Sequence, residues 1–161
     1  MAEALTAGTM EALAQAIHGE YCEKYPGMPN TLPWERLEEG IRESNRGQAR
    51  QIPAYLALVG CRIGGTGGRA ECAAPAAPVT AFTPAEIEIM ARQVHRVWTQ
   101  GKAAGGWVYG PVRDDARKIH PLLHIRWDDL AEAERDKDRN IARGIIPLLA
   151  AAGLAVYRSG Q

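Results

Sequence analysis

The sequence predicts a mainly α-helical fold with short β segments, built from two helical repeats related by a pseudo-twofold. Three observations carry this reading. Apolar residues recur at helical spacing in four long stretches, a glycine- and proline-rich segment divides the chain, and the parts on either side of it are copies. Sliding residues 34–63 onto 127–156 without a gap matches Trp34, Leu37, Glu39, Arg42, Arg46, Ala49, Arg50, Ile52, Leu56, Ala57 and Gly60 with identical residues, eleven of thirty positions. Upstream the offset changes from 93 to 77, which aligns Met10 to Tyr21 with Ile87 to Trp98 and His18 with His95. The second copy therefore carries 16 extra residues. The implied organisation is a reduced first repeat over 1–63, a linker over 64–83 and a full second repeat over 84–161.

Each element has its own signal. Met10, Leu13, Ile17 and Tyr21 form one helical stripe, so the first helix ends near Tyr25 and Pro26. Trp34 follows Pro33 and opens a charged segment that runs into IPAYLALVG, with Ile52, Leu56 and Val59 as its buried stripe and Gly60 as its cap. Pro53 predicts a kink or a restart in that helix. In the linker, Gly65, Gly67 and Ala70 spell GxGxxA, but Pro75 and Pro78 forbid the helix that a dinucleotide site needs. Thr83, Pro84 and Glu86 then start a helix whose apolar face is Ile87, Met90, Val94 and Trp98. A last helix is expected from about Asp129 to Ala152, burying Ile141, Ile145, Leu148 and Leu149. Gly153 caps it, and LAVY forms a short extended finish.

Composition narrows the function classes. Nineteen basic and nineteen acidic side chains cancel, so no global field favours DNA or an acidic membrane, and an anion site has to be made locally. Cys22, Cys61 and Cys72 form no CxxC and no zinc pattern, and an odd count argues against a secreted disulfide framework. No run approaches the roughly 20 apolar residues of a membrane span, and the acidic N-terminus lacks a signal peptide's basic region. The expectation is a soluble cytoplasmic protein without cofactor, metal or membrane partner.

Enzyme signatures are missing from the sequence. His120 and His124 flank Pro121 with no HExxH, Ser44 and Ser159 sit in no nucleophile elbow, and Asp114 and Asp115 are adjacent rather than facing. The chain is therefore read as non-catalytic. Binding is better supported. Arg42, Arg46 and Arg50, like Arg135, Arg139 and Arg143, form a stripe at spacings of four along a helix. One member of each stripe is taken as a candidate phosphate ligand, because the guanidinium fork suits that group. The plainer account is a solvated face paired with Glu39, Glu43, Glu132 and Asp136. Tyr21 and Trp98 end the first helices of the two copies, where a pseudo-twofold would place them symmetrically to stack on a base, with core packing as the alternative.

The densest stretch is Gly105 to Pro121, GGWVYGPVRDDARKIHP. Glycines around Trp107 and Tyr109 suit a tight extended turn, and Arg113, Asp114 and Lys118 can hold the loop or meet an anion. With His95 and Trp98 before it, and Leu130, Glu134, Asp138 and Arg139 after it, this stretch reads HxxW followed by GWxYGPxRDDxxKxHP. It resembles the RyR domain, found in tandem in ryanodine receptors and in small bacterial and phage proteins. The similarity runs from about Pro84 to Tyr157. The first copy departs from the pattern, lacking the GWVYG and RDD core and having Tyr21 where Trp98 stands.

The resemblance implies two RyR-type repeats packed as a clamshell-like unit that takes a nucleotide or nucleotide-derived signal in the cleft between them. The class would include ATP, ADP-ribose and cyclic nucleotides, and the role would be a sensor or sequestering protein accompanying bacterial or phage defence signalling. The candidate ligand residues are Tyr21, Trp98, Arg46, Arg139, Arg113, Asp114, Lys118 and Trp34. The alternative is a protein interaction module using the arginine stripes and exposed aromatics. A homo-oligomer or an effector partner chain fits either role. His18 and His95 are read as hydrogen-bonded structural histidines.

Overall fold

The structure is a computed structural model that describes residues 5–65 and 77–160. It is mainly helical, as the periodicity predicts. In chain order its elements are α1 (Ala7–Lys24), α2 (Glu39–Leu58), β1 (Cys61–Gly65), α3 (Pro84–Ala104), β2 (Val108–Tyr109), β3 (Ile119–His120), α4 (Glu132–Ala151) and β4 (Leu154–Arg158). Short 3-10 turns at Trp34–Arg36 and Trp127–Asp129 precede α2 and α4, so the copies repeat the same local sequence of elements.

Chain chemistry explains the boundaries. Thr6 caps α1 by accepting from the Thr9 amide at 3.1 Å. Thr83 and Glu86 form the expected capping box on α3, with Thr83 accepting from the Glu86 amide and Glu86 accepting from the Thr83 amide. Gly60 and Gly153 take φ of +67° and +75° directly after α2 and α4, the left-handed geometry that turns a helix into a strand.

Two local expectations need correction. α2 continues through Pro53 as one element, so the helix does not restart there, and α4 likewise continues through Pro147. Burial of Ile52, Tyr55 and Leu56 around Pro53 holds the helix across the missing hydrogen bond. Ile141 is 48% exposed, whereas Ala142, Ile145, Leu148 and Leu149 are buried. One position along a helix turns a side chain by about 100°, which carries Ile141 off the inner face.

The residues group into two units. The first comprises residues 1–81 and 145–161, and the second comprises Phe82–Gly144. In the first, α1 packs on α2, and β1 pairs with β4 in an antiparallel ribbon, so the last strand of the second sequence repeat joins the unit of the first. Leu13, Ala14, Ala49, Leu56 and Leu149 lose all solvent contact there. In the second, Ala91, Trp127 and Leu130 form a core cluster with Leu122 and Ile125 against it, and β2 pairs with β3 in parallel. The linker motif GxGxxA and Cys72 extend into residues 66–76, outside the described residues.

Candidate functional site

The second unit holds a pocket of about 440 Å³ lined by His95 and Trp98 of α3, Arg113, His120, Pro121 and Leu122 of the segment before α4, and Leu130, Glu134, Lys137 and Asp138 at and within α4. Every lining residue belongs to this unit. The volume falls within the roughly 300–1,000 Å³ of small-molecule sites.

The glycine-rich segment builds one wall. Gly110 is buried, and a Cβ there would overlap Cγ2 of Ile119, so only glycine lets β2 and β3 close. Asp114 accepts from the Arg117 amide at 3.1 Å, and its own amide bonds the Ile119 carbonyl at 3.0 Å. Lys118 takes φ of +56° and donates Nζ to the Gly105 carbonyl at 2.8 Å. These two candidates hold the loop. Arg113, pinned by Asp115 at 2.7 Å, reaches the pocket. Hydrogen bonding to Arg113 holds the Asp115 carboxyl below its usual range.

The deep end is aromatic. Trp98 lies near-parallel to His95 at 5.9 Å and meets His120 edge-on at 4.9 Å. His120 Nδ1 accepts from the Leu122 amide at 3.1 Å, so the neutral ring carries its proton on Nε2. Burial, with help from Arg113 and Lys102, pushes its pKa down. His95 Nε2 lies 3.4 Å from the Ile125 carbonyl and its Nδ1 lies 3.6 Å from Asp138 Oδ2. Removal from water raises the Asp138 carboxyl to about 6, against the opposing pull of His95.

Polarity therefore changes with depth. His95 and Asp138 keep only 13% and 16% of their side chains exposed, whereas Arg113 and Lys137 keep 60% and 63%. A weak acid and aromatic rings form the floor, and cations stand at the mouth. Glu134 engages Lys137 at 2.9 Å.

Three further candidates sit elsewhere, in a motif that each unit repeats. In the second, Glu88 accepts from Trp127 Nε1 at 2.8 Å and from Arg139 Nε at 2.8 Å, while the Arg139 guanidinium lies over the Trp127 ring. Asp136 and Glu132 complete its partners. In the first, Glu11 accepts from Trp34 Nε1 at 3.2 Å and from Arg46 Nε at 2.7 Å, with Glu39 and Glu43 around the guanidinium. Arg46, Arg139 and Trp34 thus tie helices together. Hydrogen bonds from Arg46 and Arg139 hold Glu11 and Glu88 below the usual carboxylate range. Tyr21 donates to the Pro29 carbonyl at 3.2 Å and packs on Tyr25 at 5.2 Å.

His95 and Trp98, with Arg113, Lys118 and His120 of the densest stretch, thus build or buttress one pocket. The family model of the RyR domain matches residues 81–158. Those residues are a RyR domain. Within this RyR domain the motif's HxxW gives the pocket its floor, and its RDD and HP segments give one wall. Sequence reasoning missed Glu11 and Glu88, although the 77-residue offset aligns them as identical residues beside His18 and His95. It also missed Lys137, an exposed lysine with no pattern of its own. Among the described residues no helix is long and apolar enough to cross a membrane, and no group of three or more His, Cys, Asp or Glu could hold a metal ion.

Proposed function

We propose that this protein is a non-catalytic binder of a nucleotide or nucleotide-derived signal, held in the pocket of its RyR domain. The observation that supports it is the change of polarity with depth: an aromatic floor of His95, Trp98 and His120 beneath the exposed cations Arg113 and Lys137. A heteroaromatic base fits the floor, and a phosphate at the mouth exchanges the exposed Asp115 and Glu134 partners for itself at small cost, because exposed ion pairs are weak. Such a protein acts as a cytoplasmic sensor, passing the signal to a partner chain, or as a sequestering protein that lowers its free concentration.

Calorimetry with ATP, ADP-ribose and cyclic oligonucleotides tests the reading. A base stacked on an aromatic ring contributes roughly 1–3 kcal/mol, so Trp98→Ala should weaken the best ligand by about tenfold or more. Lys137→Ala lies on the exposed surface and should weaken phosphate-bearing ligands without disturbing the fold. No heat from any member of the panel, or affinity indifferent to both substitutions, would overturn the reading. The rival is a protein interaction module, favoured by the exposed Val108, Tyr109 and Val112 beside the pocket loop. A pull-down lost on Val112→Asp but kept on Trp98→Ala would support that rival.

A further inference from the structure

Asp138 stands apart from the other acids in contact distance of a base. Glu88, Glu132, Glu134 and Asp136 are each held by an arginine or lysine within hydrogen-bond range. Among the described residues no donor comes that close to Asp138, and its nearest polar partner, His95 Nδ1, stands at 3.6 Å. A largely buried carboxylate without protein donors is costly, and it gains from any ligand that supplies one.

The repeat sharpens the point. The position equivalent to Asp138 in the first repeat is Asn45, which is buried and donates Nδ2 to the Ile41 carbonyl at 3.0 Å. A neutral amide satisfies itself within its own helix there, whereas the ionised acid of the second repeat has no donor to turn back on the helix. His95 relieves it only in part, since it stands beyond hydrogen-bond distance. If Nε2 donates to the Ile125 carbonyl, the neutral ring turns a lone pair toward Asp138, and only one proton shared between ring and acid removes the conflict.

On the reading of the pocket as a nucleotide site, we infer that Asp138 selects the base: it accepts a hydrogen bond from an exocyclic amino group, so amino-bearing bases are preferred over their oxo counterparts. Trp98 and His120 hold the ring, and Asp138 on α4 meets its edge. The charged and titratable groups acting on Asp138 are His95 from α3 and Glu134 and Lys137 from α4, and Arg113 and His120 also line the pocket. An amino donor favours the ionised carboxylate, so binding near pH 6 drives the Asp138 proton into solvent.

The probes are pairs that differ at that edge alone: adenosine against inosine 5′-monophosphate, and cytidine against uridine 5′-monophosphate. The expected result is a preference of about tenfold or more for each amino member. Asp138→Asn, which copies the residue that the fold already accepts at Asn45, should bring both ratios towards one. Calorimetry at about pH 6 in two buffers of different ionisation enthalpy should show more proton release for the adenosine than for the inosine compound, with the difference lost in Asp138→Asn. Because the phosphate is common to both, its own titration cancels. Equal binding of both members, or ratios unchanged by Asp138→Asn, would overturn the inference and leave the nucleotide reading standing. Binding of none of the four overturns both.

Discussion

Ile63 pairs with Val156 across the β1–β4 ribbon, and the two residues occupy the same position of the two repeats. The flanking rungs obey the same relation: Arg62 pairs with Tyr157 and Gly64 with Ala155, where Ala155 and Tyr157 are the repeat counterparts of Arg62 and Gly64. The ribbon therefore has a local twofold through its middle rung. Each strand enters it through a left-handed glycine, so duplicated sequence becomes duplicated geometry.

That entry is testable. A Cβ added at Gly60 or Gly153 would meet nothing within 4 Å, so the effect of alanine there is purely one of backbone conformation. Left-handed geometry costs a non-glycine residue roughly 1–2 kcal/mol. Gly60→Ala and Gly153→Ala should each lower the urea midpoint by a corresponding amount. A substitution without effect would mean that the helix-to-strand turn does not need glycine.

Leu56 and Leu149 are likewise repeat counterparts, and both are fully buried. Leucine-to-alanine changes in such places cost about 2–5 kcal/mol, the spread reflecting how far the surroundings collapse. Leu56→Ala and Leu149→Ala should both fall in that range by denaturant unfolding. A loss under about 1 kcal/mol at either position would show that its side chain is not part of a close-packed core.

The helices, their caps and the repeat were legible because they rest on local chemistry: Thr83 with Glu86, the stripe from Ile87 to Val94, and the glycines at 60 and 153. The ligand residues were less so, because a side chain's role depends on what faces it. Arg46 and Arg139 fit a phosphate by type, but Glu11 and Glu88, on helices remote in sequence, engage both guanidinium groups. Trp34 stands among the candidate ligand residues, whereas its indole donates to that same Glu11. Trp98 and Arg113 come together because Gly110 allows β2 to close on β3, a steric fact that no periodicity carries. Asp138 was visible as a motif residue, but its lack of a donor emerges only from the packing of α3 on its surroundings.

Trp127 and Trp34 offer a comparison within one molecule. Trp127 is buried and donates to Glu88 at 2.8 Å, whereas the half-buried Trp34 donates to Glu11 at 3.2 Å. Phenylalanine keeps most of the apolar area and removes the indole donor. Trp127→Phe should cost about 1.5–3 kcal/mol, the range for a hydrogen bond to a charged group, and Trp34→Phe less. Thermal unfolding of the two variants checks the order, and a larger loss for Trp34→Phe would contradict the geometry.

Asp138 also sets a pH dependence that needs no ligand. Its folded carboxyl titrates at about 6 rather than the ordinary 3.8, because burial disfavours the charged form. Below the ordinary value both folded and unfolded chains hold the proton, and the acid carries no penalty. As pH rises from 3.8 towards 6 the unfolded chain releases its proton first, so stability falls through this window and the loss is complete above it. Glu11, Glu39, Glu43, Glu88 and Asp115, all held low by arginines, act in the opposite sense, their contribution being lost as pH falls below the ordinary carboxylate range. Wild type alone therefore mixes both slopes, and the difference from Asp138→Asn isolates one. The thermal midpoint of Asp138→Asn minus that of wild type should rise between about pH 4 and about pH 6.5 and then level off. A difference that stays constant with pH would show that Asp138 is ionised in the folded protein as readily as in water.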